Sequence, residues 1–258
     1  MKSKLLITMG DSNTEGVGCW SELTKDCGSK SYAENLERFH KFGWPPRLQM
    51  KLNYDLLINL GMGGSSDSHQ LKSFIENITD EELEKYDVLV IWMMTFPGRF
   101  SFYRNKSVVS VQASSGNNKQ FPEISRLALS YTNFINNLTE DSALEQLYHL
   151  RVFNKICQGT NIKFLFCSLD PLQYHFLEKT SPEHFLTSNN LNIYKKEIYP
   201  KFDIYPEYQS RLCTHPNERG YEFMAENIFN IIKENFPLLI NSNRSLEFKQ
   251  EWRGLKQW

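Results

Sequence analysis

The sequence predicts a single-domain, three-layer α/β/α fold, in which helices cover both faces of a mostly parallel sheet of about five strands. Short apolar runs alternate with segments of helical periodicity. This alternation is typical of parallel βαβ units wound right-handedly into one sheet. The 258 residues carry no internal repeat, low-complexity segment or linker-like stretch. We therefore assign residues 1–240 to one domain and 241–258 to a C-terminal tail that is either docked or loose.

Four strands are predicted from apolar runs that are too short for helices, namely 5–9, 54–60, 87–94 and 162–169. The run 87–94 is the strongest signal, and its apolar character indicates burial on both faces. A fifth strand is expected without an assigned position. Two long stretches, 95–124 and 171–213, show no sustained period. Connections of this length are unlike inert turns, so we expect them to form a lid or the walls of a site.

Helices are predicted where apolar residues recur at helical spacing next to capping residues. Pro45 or Pro46 suits the first turn of a helix through residue 52, and Ser65 or Ser66 suits the cap of the next one. The remaining predicted helices are 31–42, a segment from 125 to about 156 that is interrupted near 136–141, and a helix from Asn217 onward. Two apolar faces are expected to be buried: Leu71, Phe74, Ile75 and Ile78, and later Tyr221, Met224, Ala225, Ile228 and Ile232.

Composition excludes several classes of protein. The net charge of −1 gives no reason to expect a nucleic-acid partner. The five Cys lie at scattered spacings without a C-x-x-C pair, which favours reduced thiols in a cytosol-like compartment over disulfides or a zinc site. The first apolar run is too short for a secretion signal, and no run approaches the roughly 20 residues that span a bilayer. The aromatic content of 14% fits either a core or sugar and acyl contacts.

A polar motif, Gly10-Asp11-Ser12-Asn13-Thr14-x-Gly16, directly follows the first predicted strand. A strand that ends this way delivers the Ser12 hydroxyl to the carboxyl edge of the sheet, where α/β proteins build their sites. The same serine also suits a helix N-cap. The motif resembles the first motif of the GDSL, or SGNH, hydrolases. That resemblance implies a flavodoxin-like sheet and a nucleophilic role for Ser12.

A second motif, His215-Pro216-Asn217-x-x-Gly220-Tyr221, precedes the last predicted helix and resembles the last motif of the same family. The resemblance implies that His215 is the general base and that Pro216 and Asn217 shape the turn. The other five histidines lack such surroundings, and we expect them to be structural.

A third motif, Asn59-x-Gly61-x-x-Gly64, follows the second predicted strand. It resembles the family motif whose final glycine supplies a backbone N–H group to the oxyanion. By this resemblance Gly64 joins the N–H group of Ser12 as an oxyanion donor. A tight turn that needs positive φ at a glycine explains the same residues, and the two interpretations are compatible.

Two departures from the family pattern concern the oxyanion and the base. Phe96 occupies the position at which the family has an asparagine oxyanion donor. Arg99 is the first candidate for a substitute donor or substrate contact, with Thr95 and Asn105 behind it, although Arg99 is equally explained as a solvated loop charge. The strand ending from Trp92 to Phe100 is similar to a divergent branch associated with tailed-phage and marine viral proteins.

The second departure is Leu212, which stands three residues before His215, where the family has the triad aspartate. The acid is then expected from Asp203, Glu207 or Asp170, or a backbone carbonyl orients the base. Asp11 is adjacent to Ser12 but points the other way by strand alternation, so we expect a structural role for it.

The resulting hypothesis is a serine esterase that acts on small, carbohydrate-linked (for example O-acetyl) or lipid esters. The resemblance implies no metal or organic cofactor. The alternative from a different class is an SGNH-fold protein with weakened catalysis that acts as a binding or structural module. A nucleotide-binding flavodoxin-like protein is a poorer fit, because Asp11 and Glu15 follow the first strand and would repel phosphate.

Overall fold

The computed structural model describes residues 2–18, 38–95, 99–104, 107–111, 139–168, 190–194, 198, 200–201, 204, 206–209, 215–240 and 248–253. The strands are β1 Ser3–Met9, β2 Leu56–Asn59, β3 Tyr86–Met93, β4 Phe100–Arg104, β5 Ser107–Val111, β6 Lys163–Ser168, β7 Asn190–Tyr194 and β8 Lys249–Trp252. The labelled α-helices are α1 Ser12–Glu15, α2 Trp44–Leu52, α3 Asp67–Asn77, α4 Asp80–Lys85, α5 Thr139–Cys157 and α6 Glu218–Asn235, and residues 38–42 are the described part of a further helix. Two 3₁₀ turns, Pro206–Tyr208 and Pro237–Leu239, flank α6.

The main sheet has six strands in the order β7-β6-β3-β1-β2-β8, and every neighbouring pair is parallel. Without β8, the order is that of a flavodoxin-like sheet, with β3 at its centre and β1 beside it. The chain moves from β1 to β2 on one side and then to β3 on the other, so the connections reverse direction at β1. The α/β prediction is confirmed, with one strand more than the five expected.

The two stretches predicted to be irregular both contain strands. The antiparallel pair β4–β5 lies within 95–124, and β7 lies within 171–213 and pairs with β6. The prediction of irregular structure was wrong for these segments because each strand is only five residues long. Their alternating polar and apolar residues give too short a pattern to be distinguished from a loop. The fifth expected strand is therefore β7.

Helices cover both faces of the sheet, as predicted. Alternate residues of β1 face opposite cores: Leu5 and Ile7 pack on the side of α3 and α5, and Leu6 packs on the side of α2 and α6. All six described core residues of β3 from Val88 to Met93 are at most 2% exposed. This burial on both faces explains why the strand has no polar alternation.

The predicted helix faces are confirmed with one exception. All five apolar residues predicted for α6 are fully buried, and Leu71, Phe74 and Ile78 of the α3 segment are buried too. Ile75 is 56% exposed, so its predicted burial was wrong. Residues 71, 74 and 78 already form the inward stripe of this helix, and residue 75 lies at its edge. Of 31–42, the described part 38–42 is helical, and of 125–156 the described part belongs to α5.

The C-terminal segment adds the edge strand β8, which pairs with β2 from Leu56 to Asn59. Arg253 follows β8 and makes two hydrogen bonds to the Glu82 carboxylate, at 2.7 and 3.0 Å, and one to the Asn77 carbonyl at 3.0 Å. On the other side, Gln49 Nε2 donates to the Lys249 carbonyl at 2.9 Å. Residues of α2 on one face of the sheet and of α3 and α4 on the other thus fix β8 and the residue after it in place. No helix in the described part of the chain is long and apolar enough to cross a membrane.

We predict that Arg253→Ala lowers the free energy of unfolding by about 1–2 kcal/mol, because a bidentate, partly buried ion pair is lost together with a carbonyl contact. Urea denaturation at neutral pH measures this change. Lys72→Ala is the matched control, since Lys72 makes a surface pair with Glu76 at 3.4 Å and such pairs contribute well under about 1 kcal/mol. Equal effects of the two substitutions would contradict the role assigned to Arg253.

Candidate functional site

The site lies at the carboxyl end of β1, where the connections of the sheet reverse direction. Gly10 ends the strand, and Asp11 caps the single turn α1 by accepting the Asn13 N–H at 3.0 Å. Ser12 is therefore the first residue of α1, one residue after its cap. Asp11 is 2% exposed, and its side chain caps α1. These contacts agree with the structural role expected for it.

The Ser12 hydroxyl meets the imidazole of His215, with 2.7 Å between Oγ and Nε2. This contact joins residues that are 203 positions apart in the chain. The structure thus brings together the two residues that the sequence motifs singled out. In the neutral tautomer that carries its proton on Nδ1, the Nε2 lone pair accepts the serine proton.

Residues around His215 fix its loop to the rest of the domain. Asn217 caps α6 by accepting the Gly220 N–H at 3.0 Å, and its amide donates to the carbonyls of Glu207 at 2.6 Å and Gln209 at 3.1 Å. The fully buried Tyr221 donates its hydroxyl to the Val17 carbonyl at 2.6 Å. Because Val17 directly follows α1, this bond ties the start of α6 to the helix that carries Ser12.

The glycine motif after β2 packs directly on α1. The Gly61 N–H donates to Asn59 Oδ1 at 2.9 Å, and Asn59 Nδ2 donates to the Thr14 carbonyl at 3.0 Å. A Cβ at Gly61 would lie 2.6 Å from the Glu15 nitrogen, a distance that real side chains do not reach. Glycine at this position is what allows the loop to approach the α1 backbone.

Gly64 follows in this loop with φ +78°, in the left-handed region that favours glycine. Within the described part of the chain, neither its backbone N–H nor that of Ser12 makes a hydrogen bond. A Cβ at the neighbouring Gly63 would lie 3.7 Å from Ser12 Cβ, so the loop passes beside the serine. Both residues that the resemblance implies as oxyanion donors therefore keep their N–H groups available.

Arg99 is a buried side chain rather than a solvated loop charge, with a side-chain exposure of 9%. Its guanidinium lies 3.6 Å from Asp11 Oδ2 and 3.4 Å from the Ser65 carbonyl. Burial lowers the pKa of Arg99, and the charges of Asp11 and Asp67 oppose that shift. Its described contacts are thus with the residue that precedes Ser12 and with the glycine loop.

Thr95 ends the segment after β3 and is fully buried. Its N–H donates to Asp67 Oδ1 at 2.8 Å, and its carbonyl accepts from Gln146 at 3.0 Å. Gln146 also donates to Asp67 Oδ2 at 2.6 Å, so three elements meet at this carboxyl. Burial raises the pKa of Asp67 to about 7, against the two hydrogen bonds and Arg99.

A second hydrogen-bonded chain crosses the floor of the site. Ser65 Oγ donates to the Gly10 carbonyl at 3.0 Å, and Gln70 Nε2 donates to Ser65 Oγ at 3.0 Å. Trp92 Nε1 then donates to Gln70 Oε1 at 2.6 Å. These three hydrogen bonds fix the end of β1 to the glycine loop, α3 and β3. They therefore limit the movement of the backbone that carries Ser12.

Sequence reasoning missed two buried carboxyls at the site, Glu15 and Asp67. Each is at most 4% exposed. Glu15 Oε2 accepts the Gly63 N–H at 2.6 Å. Burial raises the pKa of Glu15 to about 7; the Gly63 bond and the charge of His215 oppose this shift, and the charge of Asp11 adds to it. The only sequence feature that points to a site role for Glu15 is its position inside the serine motif. No sequence feature points to Asp67.

The second nitrogen of His215, Nδ1, has no hydrogen-bond partner among the residues that the structure describes. Of the acids proposed to orient the base, Asp203 and Asp170 lie outside the described residues, as do Phe96, Asn105 and Leu212. Glu207 is described and exposed, and it meets the His215 loop through its backbone carbonyl. The described geometry is that of a serine–histidine pair.

No group of three or more His, Cys, Asp or Glu in the described ranges is arranged to hold a metal ion. The two described cysteines, Cys157 and Cys167, are buried and unbonded to each other.

No family model matches this chain, and no curated protein matches it either. Among solved structures, the chain is similar to the lipase Lip_vut3 from a goat rumen metagenome, with 18% sequence identity and a TM-score of 0.46. The similarity covers 88% of this chain and 96% of the lipase chain.

The raised pKa of Asp67 predicts that stability falls with rising pH. In the unfolded chain this carboxyl ionises near 3.8, whereas in the folded protein it stays protonated to about 7. The stabilisation is therefore fully present below the lower value and is lost as pH rises to the upper one. Between pH 5 and 8 the loss is at most about 3 kcal/mol.

We expect Asp67→Asn to reduce this decline by about 1–3 kcal/mol, measured by urea denaturation at pH 5 and pH 8. Glu234→Gln is the control, because Glu234 is exposed on α6 and its substitution leaves the buried charges unchanged. A variant with the same pH dependence as the wild-type protein would show that Asp67 is ionised throughout this range.

Proposed function

We propose that this protein is a serine esterase in which Ser12 is the nucleophile and His215 the general base. The observation that carries this proposal is the 2.7 Å contact between Ser12 Oγ and His215 Nε2 at the carboxyl end of β1. A hydroxyl needs such a base to become nucleophilic at neutral pH. The resemblance of three motifs to those of the SGNH hydrolases, in the same order along the chain, supports the assignment.

In the first half-reaction, Ser12 Oγ attacks the ester carbonyl carbon while His215 Nε2 takes the hydroxyl proton. The tetrahedral intermediate then collapses as the bond to the alcohol oxygen breaks. The resulting imidazolium returns its proton to the departing alcohol, which leaves an acyl group on Ser12.

In the second half-reaction, water attacks the acyl carbon and His215 accepts one of its protons. Collapse of this second intermediate breaks the bond to Ser12 Oγ, which recovers the proton from His215. The products are a carboxylic acid and the free enzyme, and the atoms balance without a metal or cofactor.

The backbone N–H groups of Ser12 and Gly64 are the proposed donors to the oxyanion. Both groups make no other hydrogen bond in the described structure, and the loop of Gly64 passes beside Ser12. We assign Arg99 to neutralising Asp11 beneath this turn, because its described contacts are internal. Thr95 fixes the adjacent backbone through Asp67, and its buried hydroxyl makes no hydrogen bond to a described residue.

The substrate class is proposed from the resemblance: small acyl esters, carbohydrate-linked esters such as O-acetyl groups, or lipid esters. A second candidate function, a binding or structural module with weakened catalysis, is favoured by one observation. His215 Nδ1 has no described partner to hold its tautomer, and loss of that partner lowers catalysis by several orders of magnitude in serine hydrolases.

We predict that Ser12→Ala lowers kcat for p-nitrophenyl acetate by at least about 10³-fold, because the nucleophile is removed. His215→Ala should have an effect of similar size, since the two residues act as one unit. The same variants should lose labelling by a fluorophosphonate, which reacts with activated serines. Initial rates and mass spectrometry of the labelled peptide measure both effects.

Ser3→Ala is the matched control, because Ser3 is exposed at the opposite end of the same strand. It should retain wild-type rates and labelling. If the wild-type protein neither hydrolyses the ester nor accepts the label at neutral pH, the esterase proposal fails and the binding-module proposal takes its place.

A further inference from the structure

The buried carboxyl of Glu15 occupies a position that the proposed mechanism does not use. Glu15 ends α1, three residues after Ser12, and it is 2% exposed. Such burial of an acidic side chain is rare unless the group is paired or hydrogen-bonded. Its described side-chain partner is a backbone group of the glycine loop rather than a basic side chain.

The Glu15 carboxylate lies close to both the N–H group and the Cα of Gly63. Oε2 accepts the Gly63 N–H at 2.6 Å, and a Cβ built at Gly63 would lie 2.8 Å from the same oxygen. A side chain at residue 63 would therefore displace the carboxyl. Gly63 also lies beside Ser12, whose Cβ is 3.7 Å from the same built atom.

The N–H that Glu15 holds belongs to the Met62–Gly63 peptide, one peptide unit before the one that carries the Gly64 N–H. When the Gly63 N–H is fixed by a carboxylate, it is not available to an oxyanion, and the neighbouring Gly64 N–H remains as the donor of this loop. From these contacts we propose that Glu15 is a positioning residue: its carboxylate fixes the Gly63–Gly64 segment and so orients the Gly64 N–H toward the oxyanion. This inference deepens the esterase proposal and rests on it for its catalytic consequence.

The bond is strongest when Glu15 is ionised, because a charged acceptor binds an N–H more tightly than a neutral one. The charged groups that act on this carboxyl are Asp11 on the preceding turn and His215 on the facing loop, with Arg99 paired to Asp11. Residues 61–64 contribute no charge. Ionisation of Glu15 near neutral pH, as its burial indicates, then strengthens the hold on the loop as pH rises.

Glu15→Gln is the decisive variant, since it keeps the shape and one acceptor oxygen but removes the charge. We expect kcat for p-nitrophenyl acetate to fall about 10-fold with KM changed less than about twofold, because the loss of a whole oxyanion donor costs about 10²–10³-fold. The decline of log kcat/KM toward acid pH should be less steep in Glu15→Gln than in the wild-type protein, because the ionisation of Glu15 no longer contributes to it. Glu222→Gln, an exposed carboxyl paired with Arg47, is the control and should match the wild-type protein.

An NMR measurement decides the inference independently of hydrolysis. The Gly63 amide proton, observed with ¹⁵N-glycine labelling, should move downfield as pH rises through about 7 in the wild-type protein and in His215→Ala. It should not titrate in Glu15→Gln. A Gly63 amide that titrates equally in Glu15→Gln, or that does not titrate in the wild-type protein, overturns the positioning role.

The two proposals fail in different ways. A wild-type protein that neither hydrolyses esters nor accepts a fluorophosphonate refutes the esterase, while the Gly63 amide still decides what Glu15 does. An active wild-type protein whose Glu15→Gln variant keeps its kcat and its acid-limb slope refutes the inference and leaves the esterase intact.

Discussion

Close approach of two backbones at the end of β1 is the constraint on which the site depends. The α1 turn and the loop after β2 meet with no room for a side chain at Gly61, and Gly10 meets Thr14 as tightly, with 2.1 Å between a built Cβ and Oγ1. Glycine is required at both positions for steric reasons. Because the two segments are pressed together, Ser12, Gly63 and Gly64 share one small region at the centre of the sheet.

This close packing has an electrostatic consequence. Asp11, Glu15 and Asp67 are all buried around the turn, and Arg99 is the buried cation that the described contacts place with them. Their carboxyls accept hydrogen bonds from N–H groups of the backbone and of side chains, which offsets part of the cost of burying them. Two of these carboxyls have raised pKa values near 7. The fold thus places carboxyls with raised pKa values where we propose catalysis, and such perturbed groups are common at functional sites.

The parts that the sequence predicted well are those with a repeated physical signal. The strand 87–94 is apolar because both its faces are buried, and α6 shows its inward stripe over about three turns, from Tyr221 to Ile232. The pairing of Ser12 with His215 was anticipated from two short motifs, and parallel strands do bring such strand ends to one edge. By contrast, β8 has the sequence Lys-Gln-Glu-Trp and lies at an exposed edge, so its residues carry no apolar pattern. Glu15 and Asp67 were missed because acidic residues are exposed by default, and the contacts that bury them come from distant segments.

The pairing of β8 with β2 joins segments that are distant in the sequence, as does the contact between Ser12 and His215, which lie 203 positions apart. During synthesis the ribosome delivers residues from the N-terminus, so β1, β2 and β3 emerge long before their last partners. The edge of β2 and the hydroxyl of Ser12 meet their partners only after residues 215 and 249–252 have been synthesised. Contacts of such long sequence separation slow folding and prolong exposure of open sheet edges. We therefore expect the sheet edge at β2 and the serine–histidine pair to form after the pairing of β1, β2 and β3.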